Sequence, residues 1–90
     1  MDKQFTGNFA DKVREAVRQI PRGKTMSYKE VAYAVGKPLA SRAVANVMAN
    51  NYDSTVPCHR VIRSDGKLGG YNRGGIIKKR ELLLAEGCKI

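Results

Sequence analysis

The sequence contains no tryptophan, one histidine, two cysteines and three prolines in 90 residues. Cys58 and Cys88 lie 30 positions apart, and neither has a close partner of metal-ligand spacing. That excludes the common zinc motifs and a disulfide scaffold, so no metal and no cofactor is expected, and a reducing intracellular compartment is the simplest setting. No apolar run approaches the roughly 18 residues of a membrane span. The first ten residues also lack the apolar stretch of a secretory leader, so no membrane association is expected. Acidic residues are scarce: 8 against 17 lysines and arginines, a formal net charge of +9. With 42% hydrophobic residues the chain can build a core, and its length suits one domain over residues 1–90. It is too short for a barrel enzyme or a dinucleotide-binding domain with a catalytic partner.

The positive charge is concentrated. Residues 18–42 carry Arg18, Arg22, Lys24, Lys29, Lys37 and Arg42 against Glu30, net +5. Residues 56–80 carry Arg60, Arg63, Lys67, Arg73, Lys78, Lys79 and Arg80 against Asp65, net +6. The stretch between them holds only Asp53. Two basic blocks around a neutral segment predict one composite positive face, whose usual partner is a polyanion, nucleic acid first. Charge alone is also compatible with a basic protein that has no such partner.

Apolar spacing at Phe9, Val13, Ala16, Val17 and Ile20 predicts an amphipathic helix over about 8–20, ended by the Pro21–Lys24 turn. Ser27 and Glu30 form a capping-box signature for a short second helix carrying Val31, Ala32 and Val35, stopped at Gly36. A third helix follows, with Pro38 in its first turn and Ala43, Val44, Val47 and Met48 as its buried stripe. The pair has the proportions of a helix-turn-helix. The outer face of the third helix reads Arg42, Ala45, Asn46, Ala49: one long cation among small residues, suited to close approach to a nucleic-acid backbone. On its own that face reads more readily as ordinary solvated surface. Val61-Ile62 and Leu68 flank Ser64-Asp65-Gly66-Lys67 as a small hairpin. After a glycine-rich connector over 69–75, Ile76, Ile77, Arg80, Leu83 and Leu84 predict a last amphipathic helix closed by Gly87. The fold class expected is mainly α with a small β-hairpin, a winged-helix-like helix-turn-helix domain.

Pro57-Cys58-His59-Arg60 joins the only histidine to a cysteine and an arginine behind a rigid proline. The thiolate is the nucleophilic form of cysteine, and an imidazole with nearby cations favours it. Adjacent side chains diverge, so a water bridge between Cys58 and His59 is easier than a direct bond. A carboxylate from elsewhere, such as Glu86, could then fix the imidazole tautomer. Taken alone, the segment fits a buried structural cysteine beside a surface histidine better.

Val56-Pro57-Cys58-His59-Arg60-Val61-Ile62 resembles the active-site signature of the O6-alkylguanine-DNA alkyltransferases. The resemblance runs from about Phe9 to Gly87. It takes in Ile20–Lys24, Ser27-Tyr28, Ser41–Val44, Asn51, Gly66, Leu68, Gly70-Tyr71, Lys79, Leu82-Leu83 and Glu86-Gly87 in the family's order. It implies that Cys58 accepts the alkyl group from O6-alkylguanine in double-stranded DNA, once per molecule. His59 would deprotonate it through a water, and Glu86 would orient His59. Tyr28 would protonate the departing base, and Asn51 would act as a hinge between the recognition helix and the active-site loop. Arg42 would fill the gap left when the nucleotide is extruded. Ala43, Ala45, Asn46, Lys37 and Arg60 complete the expected DNA contacts. Val61, Gly70, Tyr71 and Asn72 would line the base pocket, with Tyr71 and Asn72 over the lesion oxygen. Extrusion exposes an atom unreachable inside the stack, and a minor-groove recognition helix, as the family uses, suits a search indifferent to sequence.

Three features depart from the family pattern. No counterpart of its N-terminal domain is present, Asn46 and Asn72 fall at variable positions, and the loop from Arg42 to Cys58 is slightly short, which could shift the nucleophile. The short length also resembles the alkyltransferase-like proteins, which bind alkylated guanine without transfer and flag it for excision repair. In those the cysteine is replaced, whereas Cys58 is present here, so transfer is the favoured reading and lesion binding the alternative. A basic helix-turn-helix regulator would leave Pro57–Ile62 and Glu86 unexplained. The expected molecule is a cytoplasmic, nucleoid-associated monomer that works on alkylated DNA, with a repair protein as a further candidate partner.

Overall fold

The computed structural model describes residues 7–89, so the ends of the expected 1–90 domain lie outside the described residues. Four helices surround one short sheet: α1 (Phe9–Arg18), β1 (Met26–Ser27), α2 (Tyr28–Ala34), α3 (Ser41–Ala49), a 3-10 turn (Cys58–Arg60), β2 (Val61–Ile62) and α4 (Gly75–Ala85). The first two helices start where the sequence offers a cap. The Asn8 side chain accepts from the Asp11 amide at 2.8 Å, and Ser27 Oγ accepts from the Glu30 amide at 3.0 Å while Glu30 answers the Ser27 amide at 2.8 Å. α2 ends as expected, in a Schellman motif. The Gly36 amide donates to Tyr33 and the Lys37 amide to Ala32, a geometry that needs the left-handed Gly36 (φ +80°).

α1, α2 and α3 pack around Val13, Ala16, Val17, Ile20, Val31, Ala32, Val44 and Met48, and the core continues into Val56, Cys58 and Val61. α2 and α3 form the expected helix-turn-helix. Two details of α3 differ from expectation. Pro38 lies in the turn before the helix, which begins at Ser41, and Ala43 is exposed. The reason is phase: once Val44 and Met48 are inward, residue 43 lies off their face.

The expected hairpin is replaced by a parallel pair. Met26 aligns with Val61 and Ser27 with Ile62. The Asp65-Gly66 turn itself closes, with the Gly66 amide donating to Arg63 and the Arg63 amide to Lys67. The return arm ends there because Gly69, at φ +76°, redirects the chain. β2 therefore borrows the strand that precedes α2, which sets Tyr28 beside the Cys58 turn.

α4 is rotated from its expected phase. Ile76, Ile77 and Leu84 are exposed, whereas Leu83 and Lys79 are fully buried. Apolar residues cover most of its circumference, so spacing defines no single face; what fixes the rotation is Lys79, whose ammonium donates to the carbonyls of Val61 at 2.7 Å and Gly70 at 3.2 Å.

Leu83→Ala should cost about 3 kcal/mol of unfolding free energy and Ile77→Ala less than about 0.5, read from urea denaturation midpoints. Similar losses at both positions would contradict this rotation.

Candidate active site

An open cleft of about 770 Å³ lies between α3 and the two loops that flank β2. Arg42, Ala45 and Asn46 line it from α3, Tyr28 from α2, and Gly70, Tyr71 and Asn72 from the glycine-rich turn. Cys58 opens into it from the 3-10 turn with 6% of its surface exposed. Short as the loop from α3 is, it does not carry the nucleophile away. Arg18 pins it, donating to Asp53 at 3.0 Å and Thr55 at 3.3 Å, while Asp53 Oδ1 accepts from the Thr55 amide and hydroxyl.

The two residues that follow Cys58 in its turn, His59 and Arg60, meet Glu86 in a three-residue relay. His59 Nε2 lies 2.9 Å from Glu86 Oε2. An ionised carboxylate only accepts, which assigns the ring proton to Nε2 and leaves the lone pair of the neutral ring on Nδ1. Glu86 is in turn gripped by Arg60, Nε to Oε1 at 2.9 Å and Nη2 to Oε2 at 2.8 Å. These hydrogen bonds from Arg60 outweigh burial and, with His59, hold the Glu86 carboxyl down at about 2. Glu86 is placed by the end of α4: Gly87 (φ +88°) and Cys88 donate back to Leu84 and Leu83 at 3.0 Å each, closing the helix with Glu86 as its C-cap. The ring of Tyr71 meets His59 edge-on, centroids 6.3 Å apart.

Burial, with Cys58 adding to it, raises the phenol of Tyr28 above its ordinary value, so it is a protonated donor at neutral pH. Burial also raises Tyr71. Gly69 leaves room for these rings: a Cβ there would stand 3.3 Å from both Tyr28 Oη and Arg63 Cγ. Under this floor, desolvation lowers the Lys79 ammonium to about 8, with Cys58 opposing the shift. Its nitrogen also sits 5.8 Å from the centre of the Tyr28 ring.

Not every expected residue meets the cleft. Arg60, expected on the DNA face, is turned inward and spends its third nitrogen on the Ile20 carbonyl at 2.9 Å. Val61 is fully buried and its carbonyl serves Lys79. Ala43 and Lys37 are exposed outside the cleft lining. Asn51 is buried at the end of α3, but its side chain donates only locally, to the Asp53 carbonyl at 3.3 Å. Its main-chain carbonyl accepts from the Asn72 side chain at 2.8 Å. Sequence reasoning missed Arg63, Ser64 and Asp65 on the cleft rim, and gave Lys79 no role. The signal for Lys79 was its place four residues before Leu83, on one helix face. Among the described residues no group of three or more His, Cys, Asp or Glu side chains could hold a metal ion, and no helix is long and apolar enough to cross a membrane.

The family profile described as "6-O-methylguanine DNA methyltransferase, DNA binding domain" matches residues 8–88. The chain belongs to this family. It is 49% identical over 82 residues to a methylated-DNA–protein-cysteine methyltransferase of Methanosarcina barkeri, a match covering 88% of this chain and 51% of that protein. Mycobacterium tuberculosis OGT in complex with DNA superposes with a TM-score of 0.84 at 46% identity, over 91% of this chain and 50% of that one. Schizosaccharomyces pombe Atl1, in complex with damaged DNA containing O6-carboxymethylguanine, gives 0.81 at 36% identity, over 91% of this chain and 78% of that one. The chain thus spans about half the length of the curated methyltransferases it matches.

The depressed Glu86 value carries a pH dependence. A carboxyl lowered on folding stabilises fully above its unfolded value near 4.5, and the contribution is lost as pH falls toward about 2. Its size is about 3 kcal/mol. Glu86→Gln should flatten the stability profile between those pH values in acid denaturation followed by circular dichroism; an unchanged slope would remove the Arg60 grip from the account.

Proposed function

We propose that the protein repairs DNA by moving the alkyl group of O6-alkylguanine onto Cys58 in one irreversible step. The observation that carries this reading is the position of Cys58: it lines the cleft together with Arg42, and the next residue in its turn, His59, is held by Glu86 and Arg60. The DNA-bound state of the M. tuberculosis relative supports duplex DNA as the partner.

Arg42, exposed near the start of α3, takes the place of the extruded nucleotide, offsetting part of the few kcal/mol that unstacking costs. The guanine enters the cleft between Tyr28 and the Tyr71 turn. His59 Nδ1 receives the Cys58 proton through a water, the sulfur attacks the alkyl carbon, and the carbon–oxygen bond breaks. Tyr28 protonates the ring of the departing guanine, and the proton held by His59 returns through water to the Tyr28 phenolate, so the net transfer is of the Cys58 proton to guanine. The product is a thioether, which no group in the cleft can cleave, so each molecule reacts once. The single domain then carries both the DNA-reading helix and the acceptor.

Lesion binding without transfer is the second reading, favoured by the likeness to Atl1 in complex with damaged DNA, at 36% identity and a TM-score of 0.81. Intact mass after incubation with a duplex bearing one O6-methylguanine separates the two. One added methyl, located on the Cys58 peptide, is expected; tight lesion binding with unchanged mass would leave a sensor. Cys58→Ala should abolish transfer and keep lesion affinity.

Arg42→Ala should reduce the preference for lesion-bearing over undamaged duplex by about tenfold, whereas Lys89→Ala should only shift overall affinity slightly. Equal effects of the two substitutions in fluorescence-anisotropy titrations would remove Arg42 from the extrusion step.

A further inference from the structure

Asn72 follows Tyr71 on the cleft wall, and its side chain points to the recognition helix instead of the substrate. Nδ2 donates to the carbonyls of Ala49 and Asn51 at 2.8 Å each and approaches that of Met48 at 3.4 Å. The last carbonyls of a helix lack partners within it, and here a side chain more than twenty positions away supplies them. The amide orientation is forced, because a flip would set Oδ1 against the same carbonyl oxygens. Oδ1 is then left buried with no hydrogen-bond partner. A cap selected for stability alone would not strand an acceptor in this way, since an unmade buried hydrogen bond offsets much of what the made ones contribute.

We infer that Asn72 is a positioning residue that locks the C-terminal end of α3 to the Tyr71 turn, so that seating the Arg42 helix on DNA and shaping the base pocket occur as one event. The inference rests on the transfer reading of Cys58. The two donor hydrogens of the amide are spent on Ala49, the last residue of α3, and on Asn51 just beyond it, so the side chain is no donor to the lesion oxygen. α3 has only nine residues, short and stiff enough for a shift at Met48–Ala49 to move Arg42 as well. Asn51 contributes its main-chain carbonyl to the lock, and its own side chain stays within its loop.

The test compares two substrates in single-turnover transfer: a duplex with one O6-methylguanine, which engages both α3 and the pocket, and free O6-benzylguanine, which engages the pocket alone. Asn72→Leu, similar in size without donors, should slow the duplex reaction by about tenfold to a hundredfold and the free-base reaction by a clearly smaller factor, so that the duplex-to-free-base rate ratio falls about tenfold. Asn72→Ser, with one donor, should fall between. Equal losses on both substrates would make Asn72 a pocket residue, and no loss on either would make it a local cap; both overturn the inference. Should circular dichroism show that the leucine variant is unfolded, the serine variant decides by the same comparison. A wild-type protein that binds the lesion without transfer defeats the underlying reading separately. The lock is then measured by the affinity ratio for lesion over undamaged duplex, which must fall in the variant; an unchanged ratio overturns it.

Discussion

The bidentate grip of Arg60 on Glu86 holds together segments that are otherwise far apart in the chain. Glu86 closes α4, where the helix dipole disfavours a carboxylate by about 0.3–1 kcal/mol. Two charge-assisted hydrogen bonds from Arg60, each contributing about 1.5–3 kcal/mol, decide the matter and keep the group ionised. The third arginine nitrogen reaches the Ile20 carbonyl at the end of the first helical segment. One guanidinium thus sets the distance between α1, the Cys58 turn and the end of α4. His59 inherits its orientation from this arrangement, because the carboxylate oxygen it meets is already fixed on its other side.

The pocket floor depends on a different buried cation. Lys79 is fully enclosed, and an ammonium there is tolerated only because two carbonyls and the Tyr28 ring replace part of its lost hydration. Its two carbonyl partners belong to β2 and to the glycine-rich turn, so it fixes the gap between the walls that flank the cleft. The parallel pairing of β1 with β2 completes the frame by putting Tyr28 directly after a strand in register with Val61. Arg60 and Lys79 are therefore frame-building cations, and only Lys79, four residues before Leu83 on one helix face, carries a sequence sign that separates it from surface ones.

That distinction marks how far the chain could be read. Helices α1 and α2 were legible because their caps and apolar spacing agree, and the Pro57–Arg60 segment was legible because a nucleophile, a base and a cation adjoin in a motif of family-level specificity. The phase of α4 was not, since five apolar residues at 76, 77, 82, 83 and 84 spread around the helix and an apparently solvent-bound lysine chose the buried face. The strand partner of Val61-Ile62 was hidden for a related reason. A Ser-Asp-Gly-Lys turn signals reversal at short range, whereas pairing with Met26-Ser27 spans 35 positions and leaves no local trace. Asn72 was assigned to the right wall, but the direction of its amide depends on where α3 ends in space.

The division of charge follows from the same frame. Nearly all the described carboxylates are consumed close to home: Asp11 and Glu30 in caps, Glu15 and Asp53 on Arg18, Asp65 on Arg63, and Glu86 on Arg60. The anions are thus paired close to home, and the field within a Debye length of about 8–10 Å of the surface comes mainly from the surface cations. Attraction of a polyanion to those cations is consequently salt-sensitive. The cleft is built from the buried Arg60–Glu86 and Lys79 contacts, which mobile ions do not reach. Salt thus tunes how fast the proposed lesion is found and leaves the geometry that receives it unchanged.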